Sequence, residues 1–362
     1  MTALLVIGIL VLLIVAHEFG HFIVAKMCKV RVEEFGIGYP PRAYTLGKIG
    51  YTEYTVNWIP FGGFVRLYGD DASSQHGKGS LQDASRISQA LILIAGVAAN
   101  AILAWVLFAG ALSLGVPTVV ESAPLGQEAH LFVSDVVPGS PAAAGGLSSG
   151  DEILSITDPE GKKLVALTPD AVLNFVRERG GKALTLSYLH EGAAHETSMR
   201  PANAVVPGAA GRPALGVGLV LVANQALAWP DALKESFFVT KNAFVVTLQG
   251  LGQIASTALV GSLNLKDVVG PVGLVSVIGQ AQQNGFGNVM KLAAFISVNL
   301  AIINLIPIPA LDGGRLFILG VEAILRRAAP KVAVQSLNAL GIALIGILMI
   351  VVTYHDIARL FV

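Results

Sequence analysis

Apolar positions in this chain fall mainly into long unbroken blocks rather than short periods. Thr2 to Ala25 is uncharged except within one short motif, and Ile87 to Ser122, Leu292 to Leu311 and Val332 to Tyr354 form three further apolar blocks with almost no charge. Glu121, near the end of the second block, is the one exception; at 1.5 Å of rise per residue each block is still long enough, as a helix, to cross about 30 Å of hydrocarbon. Four membrane-spanning helices are therefore predicted. The first lacks the basic start of a signal peptide and carries polar residues deep in its apolar run, so it reads as a retained span. Asn242 to Leu265 is also uncharged, but Gly, Ser, Thr, Gln and Asn interrupt it, and Val268 to Met290 is similarly mixed. That composition favours interfacial or re-entrant segments over a further pair of spans.

Elsewhere the period changes. Val133 to Val137 and Ala183 to Tyr188 alternate as strands do, and Ala171 to Arg177 reads as a helix between them. The stretch from Leu125 to Pro201 is long enough for one small core. Nearer the start, Tyr51 to Ile59 has strong strand propensity and Gly47 to Gly50 suits a hairpin turn, so an edge there is able to pair with an extended peptide. The predicted fold class is a multi-span α-helical membrane protein with four transmembrane helices, a membrane-associated β-hairpin or sheet, and one inserted α+β domain. Its parts are an N-terminal membrane core over residues 1–124 with a β-region at 35–70, the inserted domain at 125–201, a linker with interfacial or re-entrant helices at 202–290, and a C-terminal membrane core at 291–362.

Composition sharpens this picture. With 54% hydrophobic and 13% charged residues and a mean hydropathy of +0.68, a solely soluble or disordered chain is excluded. The 24 basic and 24 acidic residues cancel, which leaves no global field to attract nucleic acid. The lone Cys28 forbids an intrachain disulfide and any multi-cysteine metal site, so a metal here needs histidine and carboxylate ligands. Basic residues cluster between the first two spans (Lys26, Lys29, Arg31, Arg42, Lys48, Arg66, Lys78, Arg86) and between the last two (Arg315, Arg326, Arg327, Lys331). Both connections are expected to be cytoplasmic, which places both termini and the inserted domain outside.

The candidate chemistry sits in the first span. His17-Glu18-Phe19-Gly20-His21 places two imidazoles four residues apart on one helix face, where they are able to share a Zn²⁺ while Glu18 stands beside them as a general base. Ionisable groups inside a span are expensive and point to function. A third ligand is needed. The spacing that would supply a third histidine from the same segment is broken, because Val24 and Met27 occupy its positions. Glu33 and Glu34 follow closely but sit past the helix beside basic residues and read as solvated. Asp312 is the better candidate, since the first and third spans run in the same direction and bring His21 and Asp312 to similar depth. His355 and Asp356 end the fourth span on the opposite face. Asp312 follows Pro307 and Pro309, which break the helix, and irregular backbone at membrane depth implies a buried or wet cavity.

Taken together, HEFGH and the segment Asn304 to Gly314 resemble the site-2 protease family of intramembrane zinc metalloproteases, in particular its bacterial RseP-like branch. The similarity extends to Phe35-Gly36-Ile37-Gly38, Ile59 to Val65, Gly96-Val97-Ala98-Ala99-Asn100 and the Ser262 to Gly273 stretch. It implies that His17, His21 and Asp312 ligate zinc, that Glu18 is the catalytic acid/base, and that Asn304, with Pro307 and Pro309 beside it, binds substrate. It also implies single-span membrane proteins as substrates, such as anti-sigma factors or signal-peptide remnants, and a bacterial inner membrane as the location. Val137 to Leu147 with Gly150 to Ile156 resembles bacterial PDZ domains, which implies a groove for a peptide or substrate tail. There is room for one such domain, whereas well-known members have two in tandem. Two other readings are a metal transporter, which needs further intramembrane ligands, and a non-catalytic PDZ scaffold, in which Glu18 is dispensable.

Overall fold

Each apolar block forms a helix because nothing in it satisfies backbone polar groups except the helix itself. The computed structural model describes residues 2–70, 77–122, 129–190, 192–203, 212–259, 270–327 and 329–359. It divides into two compact units, one made of residues 1–114 with 228–362 and the other of residues 115–227.

In the first unit, α1 (Thr2–Met27), α2 (Arg86–Leu114), α7 (Phe286–Leu305) and α9 (Lys331–Arg359) provide the four helices long and apolar enough to cross a membrane. The chain is thus a multi-pass membrane protein. Because α1 is apolar on all sides, packing alone selects its inner stripe, which runs through Val6, Ile9, Leu13, His17, Gly20, His21 and Ala25. On α2 the matching stripe includes Ile92, Gly96, Asn100, Ala104 and Phe108. A Cβ at Gly20 would lie 2.3 Å from the Ala95 carbonyl oxygen, so this glycine is what lets the two helices touch.

Two boundaries differ from the sequence expectation. The second span stops at Leu114, because Gly115 at φ +78° turns the chain and Val116–Val120 becomes strand β3. The third begins at Phe286 and ends at Leu305, ahead of Pro307 and Pro309, which cannot continue a helix hydrogen-bond ladder. Where an interfacial or re-entrant segment was expected over 242–290, there are two helices, α5 (Trp229–Leu259) and α6 (Pro271–Gln283); residues 260–269, including most of the Ser262 to Gly273 stretch, lie outside the described residues. α5 packs against α2 and α7, with Trp105 Nε1 donating to the Leu233 carbonyl at 2.9 Å and Thr247 Oγ1 to Asn299 Oδ1 at 3.0 Å. Asp356 of α9, buried, accepts from the backbone amides of Gly270 and Gly273 at 3.2 and 2.8 Å.

The β-region is a sheet of two long bent strands, β1 (Val32–Ile49) and β2 (Thr52–Leu67). The start of β1 lies between both halves of β2, since Phe35 pairs with Val65 on one side and Tyr54 on the other. Consequently Thr52 to Asn57, expected to offer a free edge, is flanked on both sides, by the start of β1 and by Arg42–Ile49. The edges are Arg42–Ile49 and Gly63–Leu67. Tyr44, Leu46, Ile49 and Tyr51 are exposed along the Arg42–Ile49 edge and its turn, and Trp58 is exposed at the opposite bend.

The second unit is a six-stranded sheet in the order β3-β8-β4-β5-β6-β7, made of β3, β4 (Ala129–Val136), β5 (Glu152–Thr157), β6 (Leu184–His190), β7 (Ala193–Met199) and β8 (Val217–Gln225), with α3 (Pro141–Ala144) and α4 (Pro169–Glu178). Expected strands and helix at 133–137, 183–188 and 171–177 correspond to β4, β6 and α4. The unit reaches beyond 125–201 because β3 and β8 belong to its sheet, with Leu221 of β8 in the same core as Leu131, Ile156, Leu184 and Leu186. Leu125, the expected start of the domain, lies outside the described residues.

Candidate metal centre

His17 and His21 face α2 at Gly96, one of the two glycines of that helix. A Cβ on Gly96 would lie 2.5 Å from His21 Nε2 and 2.8 Å from His17 Nε2, so the two rings fill the space that this glycine leaves. His21 is held further by its Nδ1, which lies 2.7 Å from the Ile92 carbonyl oxygen. A carbonyl only accepts, so Nδ1 carries the proton and the Nε2 lone pair is left for a cation.

Asp312 arrives from another helix. After α7 the chain forms an irregular bridge over Ile306–Leu311, and Asp312 opens α8 (Asp312–Leu325). The bridge is pressed onto α8 by two glycines: a Cβ at Gly313 would lie 2.3 Å from the Leu305 carbonyl oxygen, and one at Gly314 would lie 2.2 Å from that of Ile308. From α9, Gly341 admits the Pro309 carbonyl, and Asn338 Oδ1 accepts from the Ala310 amide at 3.2 Å. Ala310 has φ +76°, a strained conformation for a residue with a Cβ, and this bond holds it there.

The three side chains converge. His17 Nε2 and His21 Nε2 are 3.1 Å apart and lie 3.0 and 3.2 Å from Asp312 Oδ2. Ligand atoms on a tetrahedral zinc stand about 3.3 Å apart, given metal–ligand bonds of about 2.0–2.1 Å. Two nitrogens and one carboxylate oxygen at nearly that spacing, all buried or half-buried, fit a Zn²⁺ with one coordination position left over. Among the described residues this is the one such cluster of histidine, cysteine and carboxylate groups. Glu18, half-buried beside it, faces the Val65 backbone amide, and a Cβ on Gly63 would lie 3.7 Å from its Cγ. The Gly63–Leu67 edge of the sheet therefore runs past the carboxylate.

The carboxylates set aside as third ligands are elsewhere. Glu33 and Glu34 are outside the cluster, and Glu34 is not solvated: it is buried and accepts from Thr55 Oγ1 at 2.9 Å and Arg42 at 2.8 Å, with Arg66 as a third donor. The sequence reading failed because it counted the nearby basic residues as signs of solvent, when they are the partners that make burial of the carboxylate tolerable. On the exposed rim, Arg42 also hydrogen-bonds Glu53 at 3.1 Å, which holds the Glu53 carboxyl below its usual range. Asn304 is half-buried in the last turn of α7, Pro307 is exposed and Pro309 half-buried on the bridge. Two further contributors, Gly96 and Asn100, carried no signal apart from lying in the Gly96–Asn100 motif. Near Asp312 a cavity of about 830 Å³ opens, lined in part by Ala310, Asn338 and the ion pairs Arg86–Glu322 and Arg315–Asp70.

Comparison with known proteins gives a consistent result. The model of peptidase family M50 matches residues 5–348. A Clostridium perfringens protein assigned as a zinc metalloprotease is 34% identical over 353 residues, covering 95% of each chain. The chloroplastic membrane metalloprotease ARASP of Arabidopsis thaliana is 30% identical over 95% of this chain and 75% of its own. Zinc metalloprotease RasP of Oceanobacillus iheyensis is 28% identical, over 99% of this chain and 98% of its own.

Proposed function

The chain belongs to peptidase family M50 and is a membrane zinc metalloprotease, and from that premise we propose that it hydrolyses peptide bonds inside the membrane-spanning segments of single-span proteins, with His17, His21 and Asp312 as zinc ligands and Glu18 as general base. The observation that carries this reading is the depth of the cluster, which sits on the buried stripe of an apolar helix.

When bound, zinc acts as a Lewis acid that makes water nucleophilic at neutral pH and polarises a carbonyl. Glu18 takes the proton of the attacking water and returns it to the leaving amine. His21 is held in the ligating tautomer by the Ile92 carbonyl. A helical substrate hides its carbonyls in i to i+4 bonds and must be extended before attack. The Gly63–Leu67 edge supports this step: among the described residues no strand pairs with its outer side, where it passes Glu18. Asn304, Pro307 and Pro309, on or next to the bridge that delivers Asp312, would contact the substrate beyond the scissile bond. The exposed Tyr44, Leu46, Ile49 and Tyr51 along the Arg42–Ile49 edge and its turn support membrane association of the sheet, since so much apolar surface is costly in water.

The finer assignments follow the same reading. Basic-residue asymmetry favours a bacterial inner-membrane protein with the zinc towards the cytoplasm and the 115–227 unit outside, as the RseP-like branch would have it. That unit is read as a single PDZ-like domain, taking a peptide or substrate tail between β8 and α4. β3 pairs with Leu221–Gln225, so the part of the β8 edge left for a ligand among the described residues is Val217–Val220. The test is a pair of variants in full-length enzyme. Glu18→Gln should retain zinc and lose cleavage of a model single-span substrate by at least about a hundredfold, while His21→Ala should lose both. Appreciable turnover by Glu18→Gln would overturn the general-base role.

A further inference from the structure

The tautomer of His21 has a visible cause, and the same question asked of His17 leads to Asn100. A ring that offers Nε2 to a cation keeps its proton on Nδ1, and that proton needs an acceptor. For His17 the polar group against Nδ1 is the Asn100 amide, which is completely shielded from solvent. Its Nδ2 is placed 3.4 Å from His17 Nδ1, while its Oδ1 is buried without a hydrogen-bond partner. The two ends of an amide exchange by a half-turn about one bond. The half-turn gives the orphaned oxygen a donor and gives the Nδ1 proton an acceptor.

We propose that Asn100 is the positioning residue for His17: its Oδ1 accepts from His17 Nδ1–H, fixing both the tautomer and the plane of the ring so that Nε2 points at Asp312 Oδ2 and His21 Nε2. The inference rests on the reading of His17 as a zinc ligand. The backbone around Asn100 is already anchored, because Ser297 Oγ of α7 donates to the Asn100 carbonyl at 2.8 Å. The side-chain amide is thereby left to act on the ring alone. Ile92 and Asn100 sit eight residues apart on the same stripe of α2 and serve one histidine each, so α2 orients both imidazoles while contributing no ligand.

The experiment uses full-length protein in detergent, with zinc affinity measured by competition with a chelator. Asn100→Ala should weaken zinc binding by about 10- to 100-fold. Asn100→Asp, whose carboxylate accepts but does not donate, should restore affinity to within a few-fold of the unaltered protein. Unchanged affinity in Asn100→Ala, or equal weakness in Asn100→Asp, overturns the proposal. Retention of zinc by His17→Ala overturns instead the ligand assignment on which it stands. Nitrogen-15 histidine spectra of the unaltered zinc-loaded enzyme provide a readout independent of any variant's folding: His17 should show a slowly exchanging proton on Nδ1, and its absence overturns the proposal.

Discussion

Replacing Gly96 by alanine adds a single methyl group and strikes the proposed metal centre directly. The new Cβ would lie 2.5 Å from His21 Nε2, 2.6 Å from His17 Cε1 and 2.8 Å from His17 Nε2. Ordinary contacts are about 3.5–4.0 Å, so rings or helix must separate by about 1 Å. A zinc site tolerates about 0.2 Å of error in its bond lengths. Relief by rotating the rings is opposed by the Ile92 carbonyl and the Asn100 amide, and relief by moving α1 away from α2 gives up the close packing of Gly20 on the Ala95 backbone. We therefore expect Gly96→Ala to cost about 1–3 kcal/mol of stability, as overpacking does, and to weaken zinc binding by at least about a hundredfold, more than loss of an outer hydrogen bond. Gly250→Ala and Gly346→Ala are the controls, since both glycines are helical with nothing within 4 Å of the added Cβ; they should be neutral or stabilise by up to about 1 kcal/mol. The assay is metal content after dialysis against a chelator, paired with thermal unfolding in detergent. Full zinc content and cleavage in Gly96→Ala would show that the two histidines do not meet over this glycine.

Asp312→Asn should lower zinc affinity, because a neutral amide is a poorer ligand than a carboxylate; unchanged metal content would return the search to other carboxylates. Glu34→Gln should leave zinc in place but loosen the sheet, seen as faster amide exchange around Thr55 and Arg66, since Arg42 and Arg66 lose their buried counter-charge. In the second unit, the Arg179 guanidinium, 2.9 Å away, holds the Asp158 carboxyl below its usual value of 3.8. Its contribution to stability is complete above that value and is lost as pH falls through the lowered one. The melting difference between the unaltered chain and Asp158→Asn should thus be present at pH 7 and shrink below about pH 4; a difference that does not change with pH would exclude the ion pair as its source.

Some features of this protein were legible from composition and local pattern alone. Four apolar blocks became four long helices because a backbone surrounded by hydrocarbon has one local way to satisfy itself. His17 and His21 were readable as neighbours because helical geometry is local. Asp312 was readable as their partner only through a topological argument, and its approach depends on contacts that no period reveals: Gly313, Gly314 and Gly341 against the bridge, and Asn338 on Ala310. Tertiary packing decided the rest. The inner face of α1 is invisible in a helix apolar all round, and Gly96 and Asn100 acquire meaning only when α2 is laid against it. Thr52 to Asn57 looks like an edge until Phe35 is paired on both sides. Glu34, 21 residues from Thr55 in the chain, is buried because Arg42 and Arg66 come from two other stretches of strand to meet it. The physical reason is common to all of these: periodicity reports how a segment relates to its own axis, whereas partners distant in the chain are chosen by shape and charge once the elements are packed.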